Sequence, residues 1–376
     1  MVDPVALQTS AIFGFEPVRL IYWLIAAFAG GCFGAAIGAL PAFCFTGFAV
    51  IAGEAANAIG LSDLPQGSGF EVTASGLTGA VGFGPVFGPH VAFAGGAAAA
   101  AYAAKKEGAM PPQEDGGYHP GKDITYALGT RPDVLAVGGI FGIFGVLCRR
   151  LLINVVSGDA IVAGGIVGFD QLAFTVFFSA LVHRVVFGYE LFGQPGGSGY
   201  FDMTPFESGE EVAADGGTEV MRPAVEPWLP HQYEWSNVAM IGLVAGLLGG
   251  FLVVELNSMF LGFGISAATL TFLNLGVEKI PVTHHMTLPG SAGAAAFIAD
   301  PSGSGAIIAL VLAGVFGVLG ALIGEAGQRV FYAHGDTHVD PPAFAIFVCT
   351  LLVGLLHAAG IGAEAAVESG VFGVPF

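Results

Sequence analysis

The feature that most restricts this chain is a series of long apolar blocks almost free of charge. They cover residues 20–60, 74–104, 134–156, 172–187, 238–276, 280–299, 306–326 and 343–359. A helix needs about 20 apolar residues to cross a bilayer. The two blocks of about 40 residues, 20–60 and 238–276, must therefore each be a helical hairpin. Eight spans follow directly, and the Gly/Pro-broken blocks at 74–104 and 280–299 supply two more segments that either cross or turn back. With 11% charged residues, 54% hydrophobic residues and a mean hydropathy of +0.76, against roughly 25% charge in an average soluble domain, the chain reads as an all-α polytopic membrane protein. The first block is too long for a cleaved signal peptide and has no basic leader, so it is expected to serve as the insertion signal.

The charges sit between the blocks and are mostly negative. Formal charge is −18, with only four lysines. The segment between Glu190 and Glu234 holds Asp202, Glu207, Glu210, Glu211, Asp215, Glu219 and Glu226 against Arg222 alone. Such a surface repels nucleic acid and anionic lipid. Acid-rich, lysine-poor loops are also the composition of proteins from salt-loving archaea, whose carboxylates stay hydrated in molar salt. The longest polar segments, 105–133 and 188–236, are too short and too rich in Gly and Pro to fold a core alone, which excludes an ATP-hydrolysing engine within them. Cys32, Cys44, Cys148 and Cys349 lie inside apolar blocks without CxxC spacing and read as small hydrophobes.

The chain also repeats itself. The run from Gly31 aligns with that from Gly246, matching Gly34 with Gly249, Phe45 with Phe260, Gly47 with Gly262 and Phe48 with Phe263. "GIFGVLC" from Gly142 matches "GVFGVLG" from Gly314, Gly158-Asp159 matches Gly335-Asp336, and "AFTVF" from Ala173 matches "AFAIF" from Ala343. The broken blocks pair as "GPHVAFAGGAAAAAY" with "THHMTLPGSAGAAAF", setting His90 against His285 and Gly95 against Gly290. The expected organisation is a tail (1–18), a first repeat (19–190), an acidic linker (191–235), a second repeat (236–360) and a tail (361–376).

If the broken segments cross, the halves are inverted with five spans each; if they are re-entrant, the halves are parallel with four. With crossing, Lys105, Lys106, Lys122, Arg131, Arg184, Arg222, Lys279 and Arg329 share one face and Arg19, Arg149 and Arg150 the other; both alternatives separate the basic residues eight to three, so the positive-inside rule does not choose. The length of 279–299 favours crossing, with both termini outside.

Duplicated halves with helices interrupted near the midplane are a plan of transporters, and a broken helix is tolerated in lipid only where protein or a wet cavity surrounds it. The expected pathway therefore gathers Gly88, Pro89, His90 and Gly95 from the first half and His284, His285, Pro289 and Gly290 from the second. Helices starting near Gly95 and Gly290 would aim free N–H groups at a solute. Histidine inside a membrane is costly enough to suggest function, although a ring donating to a freed carbonyl is an equal alternative. Glu54, with Asn57 on the same face, and His183 and His357, late in corresponding spans, are further candidates. Asp170 and Asp340 are placed to cap helices. Glu325 and Arg329 form an i, i+4 pair, and glycine rows at Gly138–Gly142–Gly145 and Gly314–Gly317–Gly320–Gly324 permit close helix packing. In "HGDTHVD", an extended backbone would point His334, Asp336, His338 and Asp340 one way as metal ligands.

The resulting expectation is a transporter or channel for a small solute or ion, without a cofactor and without enzymatic activity. Its partners are the lipid bilayer, the solute and further copies of itself, not nucleic acid. The alternative is a membrane subunit that assembles a larger complex and transports nothing.

Overall fold

The computed structural model describes residues 13–58, 76–156, 168–214, 220–298 and 303–361 and is predominantly helical. In chain order come α1 (Pro17–Ile37), α2 (Ala39–Ala58), α3 (Ala94–Ala103), α4 (Pro132–Leu151) and α5 (Gln171–Phe187). A short α6 (Thr204–Glu207) and a hairpin of β1 (Glu211–Ala213) and β2 (Met221–Pro223) follow. The remainder is α7 (Trp235–Leu256), α8 (Leu261–Asn274), α9 (His284–Phe297), α10 (Ser304–Gly327) and α11 (Pro341–Ala358). Among the described residues, five helical segments are long and apolar enough to cross a membrane: α1, α2, α7, and α4 and α10 with their continuations to Asn154 and Tyr332. α5, α8 and α11 are equally apolar but shorter.

The helices sort their residues by size. On α1 the buried positions are Ala27, Gly30, Gly31, Gly34 and Ala35, while Val18, Ile21, Tyr22 and Ile25 stand exposed. On α7, Gly242, Ala245, Gly246 and Gly249 are buried and Met240, Leu247, Leu248 and Phe251 exposed. A soluble protein would place the large side chains inside. Lipid tails are as apolar as leucine, so burial of Leu or Phe gains little here, and small residues that let backbones approach decide the interface. The glycine rows act this way: Gly31 of α1 lies on the backbone of Gly138 and Gly142 in α4, and Gly246 of α7 on Ala313 and Gly317 in α10.

α2 packs against α8, and α5 against α11. Phe43, Phe93, Phe177, Phe263, Leu270 and Ile346 form the main core where these four helices meet the broken segments. Local chemistry sets the ends. Proline opens α1, α4 and the turn before α3, positions where the missing N–H costs nothing. Asp170 caps α5 by accepting from the Ala173 N–H at 2.8 Å. Gly38, at φ +96°, divides the first apolar block into α1 and α2.

The acidic segment folds onto the bundle. Met203 and Val225 pack with Ala333, and Glu226 and Leu229 are buried. The matched pair Gly158-Asp159 and most of both tails lie outside the described residues.

Candidate functional site

The first broken segment consists of a π turn at Thr78–Gly82, an irregular stretch at 83–88, a π turn at Pro89–Phe93, and α3. Pro85 and Pro89 cannot donate, so backbone carbonyls are freed here. Side chains take them up: Thr46 Oγ1 donates to the Phe87 carbonyl, and the Arg149 guanidinium donates to that of Phe83 at 3.2 Å. In the second half the lead into α9 is clamped from the acidic segment. Gln232 exchanges two hydrogen bonds with the Val282 backbone, at 2.9 and 3.0 Å, and the His231 ring lies 3.0 Å from the Ile280 carbonyl.

Neither helix begins at its predicted glycine. The helical turns start at Pro89 and His284, so Gly95 and Gly290 sit inside helices and expose no free N–H to a solute. Each instead lets its helix press onto a neighbouring glycine, Gly95 on Gly31 and Gly290 on Gly246. Pro289 lies within α9 and withholds the N–H that the His285 carbonyl would otherwise accept. Gly320 of α10 packs against that carbonyl, and Gly145 of α4 against the carbonyl of His90; any side chain at either glycine would collide with it.

A cavity of about 70 Å³ lies between the two broken segments. Pro89 and Phe93 reach it from the first and His284 from the second, with Phe43 of α2, Phe263 of α8, and Ala173 and Ala343 at the starts of α5 and α11. Ile124, Trp228 and Leu229 close it from the loop side. Phe43 links the segments: its ring lies 5.8 Å from Phe93 and 4.8 Å from His284. The rings of His90 and His285 do not line this space. His90 is 1% exposed behind Pro89, and His285 packs over Gly324 with its ring 6.0 Å from Trp228. Both segments line this space, but the residue facing the void in the second half is His284. Among the described residues its ring makes no hydrogen bond, and it is 5% exposed.

The other polar group in the wall is Asp340. Its Oδ2 accepts from the Ala343 N–H at 2.8 Å, capping α11, and its Oδ1 lies 3.2 Å from His338 Nε2. The four side chains expected to hold a metal are not brought together. His334 bonds to Gly196 and Tyr200 backbone, Asp336 pairs with Arg222, and only His338 and Asp340 meet. Among the described residues no group of three or more His, Cys, Asp or Glu could hold a metal. The backbone between His334 and Asp340 turns rather than running extended, so the alternation does not put the side chains on one side.

Glu54 is also away from the cavity wall, accepting from Thr78 at 2.8 Å and Ser258 at 2.6 Å. His183 is fully buried with Nε2 3.1 Å from Thr337 Oγ1, which Arg184 also engages. His357 lies in α11, and its side chain is outside the described residues.

The sequence reading missed the layer that roofs the cavity. Lys122 Nζ lies 2.6 Å from Glu226, Arg222 lies 2.8 Å from both Glu226 and Asp336, and the His119 N–H donates to Glu226. Burial pulls the Lys122 amine down from its ordinary 10.5 to about 8, with the Glu226 charge opposing. Burial raises the Asp336 carboxyl, but the Arg222 hydrogen bond and nearby charges outweigh it and leave the group below its usual range. The available signal was "AVEPWLP", an apolar run from Ala224 interrupting the acidic segment.

Beside this roof lies an open depression of about 730 Å³ with His231, Glu234, Asn237, Glu278 and Lys279 in its wall. Leu229 and Leu273 line both this vestibule and the central cavity.

A model of a family of unknown function (DUF7973) matches residues 15–370, spanning both broken segments. No curated protein and no solved structure matches the chain.

Proposed function

The chain belongs to the DUF7973 family, and we propose that it is a membrane transporter or channel for a small solute, built from two inverted five-span repeats. The observation that carries this reading is the cavity between the two broken segments, which shares Leu229 and Leu273 in its wall with an open vestibule. A void of about 70 Å³ has room for several water-sized groups, and transporters hold their solutes where discontinuous helices of two repeats meet.

Three sets of paired contacts support the duplication. Gly31, Gly95 and Gly138 converge in the first half as Gly246, Gly290 and Ala313 do in the second. Gly142 meets Gly31 as Gly317 meets Gly246, and Gly145 meets the His90 carbonyl as Gly320 meets that of His285. These contacts shift the α4/α10 alignment by one helical turn, pairing Gly142 with Gly317 instead of Gly314. Crossing of the second broken segment is supported by its neighbours. The lead before α9 is tied to Gln232, and the end of α10 to the adjacent Tyr233 carbonyl through Arg329, so α9 starts on the face where α10 finishes.

The test is flux into proteoliposomes after gradients of urea, glycerol, choline chloride and potassium chloride. Ala173→Trp and Ala343→Trp, which fill the cavity from opposite sides, should abolish whichever flux the unaltered chain supports. If no solute moves, or flux survives both substitutions in folded protein, the pathway is wrong. Co-purification of a partner lost in the same variants would then favour the assembly subunit.

A further inference from the structure

We infer that the central cavity binds a small organic cation with an alkylated ammonium head, held by the Asp340 carboxylate within a ring of aromatic faces. This identification of the solute class rests on the reading of the cavity as a pathway.

The argument begins with charge. Among the described residues, Asp340 is the one acidic side chain in the wall, and no lysine or arginine accompanies it there. Its hydrogen bonds come from a backbone N–H and an imidazole, and among the described residues it makes no ion pair with a lysine or arginine. The contrasting case is Asp170, which also caps a helix but has the positive charge of Arg149 near it. Under the alignment set by the glycine contacts, the position of Arg149 falls in α10 on Gly324, where the His285 ring occupies the space a side chain would take. The second half therefore has a buried carboxylate with no lysine or arginine beside it among the described residues, and only the His338 imidazole against its charge. A buried charge is costly unless paired, and a bound cation supplies the pair.

The rest of the wall selects the kind of cation. Phe43, Phe93, Phe263 and Trp228 present aromatic surface, and the remaining residues are largely aliphatic. Aromatic faces attract cations and are suited to alkylated ammonium groups, which carry a weak hydration shell and an apolar exterior. A metal ion would need several oxygen ligands, and this wall offers one carboxylate. An anion would meet the Asp340 carboxylate with no lysine or arginine in the described wall to offset it. His284, buried and without a hydrogen-bond partner among the described residues, can engage a hydroxyl or other polar group on the same molecule. The vestibule agrees in sign, since Glu234 and Glu278 face it against Lys279.

The test is equilibrium binding to the full chain in nanodiscs, using choline and its uncharged carbon isostere 3,3-dimethyl-1-butanol. The readouts are calorimetry on the unaltered chain and the fluorescence of Trp228 after Trp23→Phe and Trp235→Phe. Choline should saturate one site and bind at least ten-fold more tightly than the alcohol. Asp340→Asn keeps an acceptor for the α11 cap and should remove that preference; Phe43→Leu should weaken choline while leaving the alcohol nearly unchanged. Equal binding of the two probes, or an unchanged preference in Asp340→Asn, would overturn the cation assignment while leaving a neutral-solute pathway standing. Absence of binding by either probe also overturns it. The flux experiment judges the pathway separately, because loss of choline binding with persistent urea or glycerol flux would fault the solute class alone.

Discussion

Glu226→Gln tests whether the acidic segment is held down by buried charge. In the folded chain Glu226 is fully buried and meets two cations, Lys122 at 2.6 Å and Arg222 at 2.8 Å, and accepts from the His119 N–H. Glutamine keeps the shape but removes the charge, leaving Lys122 without an ion-pair partner among the described residues while Arg222 retains Asp336. Breaking a buried pair by removing one partner costs about 3–5 kcal/mol. At about 2.1 cal/mol/K per residue, that is a fall in Tm of roughly 4–6 °C for a chain of this length. Removing Lys122 as well, in Glu226→Gln/Lys122→Met, takes away the stranded charge and should recover at least half of the loss. The assay is thermal unfolding followed by tryptophan fluorescence and size-exclusion of the detergent-solubilised chain, run as a double-mutant cycle. The effect should also shrink as pH rises from 7 to 9, because Lys122, at about 8, loses the charge that Glu226 neutralises. A single-variant shift under 1 °C, or a double variant no better than the sum of the singles, would refute the reasoning.

Three further outcomes follow from the same contacts. Lys122 is depressed from 10.5 to about 8 in the folded chain, so the unfolded chain binds more protons between those values; its burial penalty is in full force below pH 8 and is relieved toward pH 10.5, and Lys122→Met should flatten that part of the stability–pH curve. Gly145→Ala and Gly320→Ala each drive a methyl group into a histidine carbonyl and should cost about 1–3 kcal/mol, read as lowered Tm, whereas Gly199→Ala, which meets open space, should leave it unchanged. With the native cysteines replaced by alanine, Glu278→Cys and Ser304→Cys, both at exposed positions, should react with an impermeant maleimide from opposite sides of the membrane. Labelling from the same side would make the second broken segment re-entrant.

Much of the plan was legible before any coordinates because it depends on local quantities. A span is a matter of length and hydropathy, so the 20–60 and 238–276 blocks announced their hairpins. The caps at Asp170 and Asp340 and the Glu325–Arg329 pair, at 2.6 Å, depend on neighbours within one turn. The candidate site was less legible. Helix starts were misplaced to Gly95 and Gly290, because small residues that look like helix punctuation serve here as packing surfaces. The proposed metal ligands alternate in sequence, but a turning backbone sends His334 and Asp336 to different partners.

The sequence by itself determined that the chain carries helices long and apolar enough to cross a membrane, roughly where they run, and that broken, histidine-bearing segments interrupt them. Those properties follow from the cost of exposing backbone or charge to lipid, which each segment meets alone. Only the tertiary structure decided which imidazole faces the void, that Asp340 stands there with His338 but with no lysine or arginine beside it among the described residues, and that an acidic stretch buries Glu226 and roofs the cavity with Trp228 and Leu229. The reason is that such outcomes depend on opposing partners far apart in the chain: Lys122 for Glu226, Phe43 for His284, Gly320 for the His285 carbonyl. Residue type fixes what a side chain can do, but the surface packed against it fixes what it does.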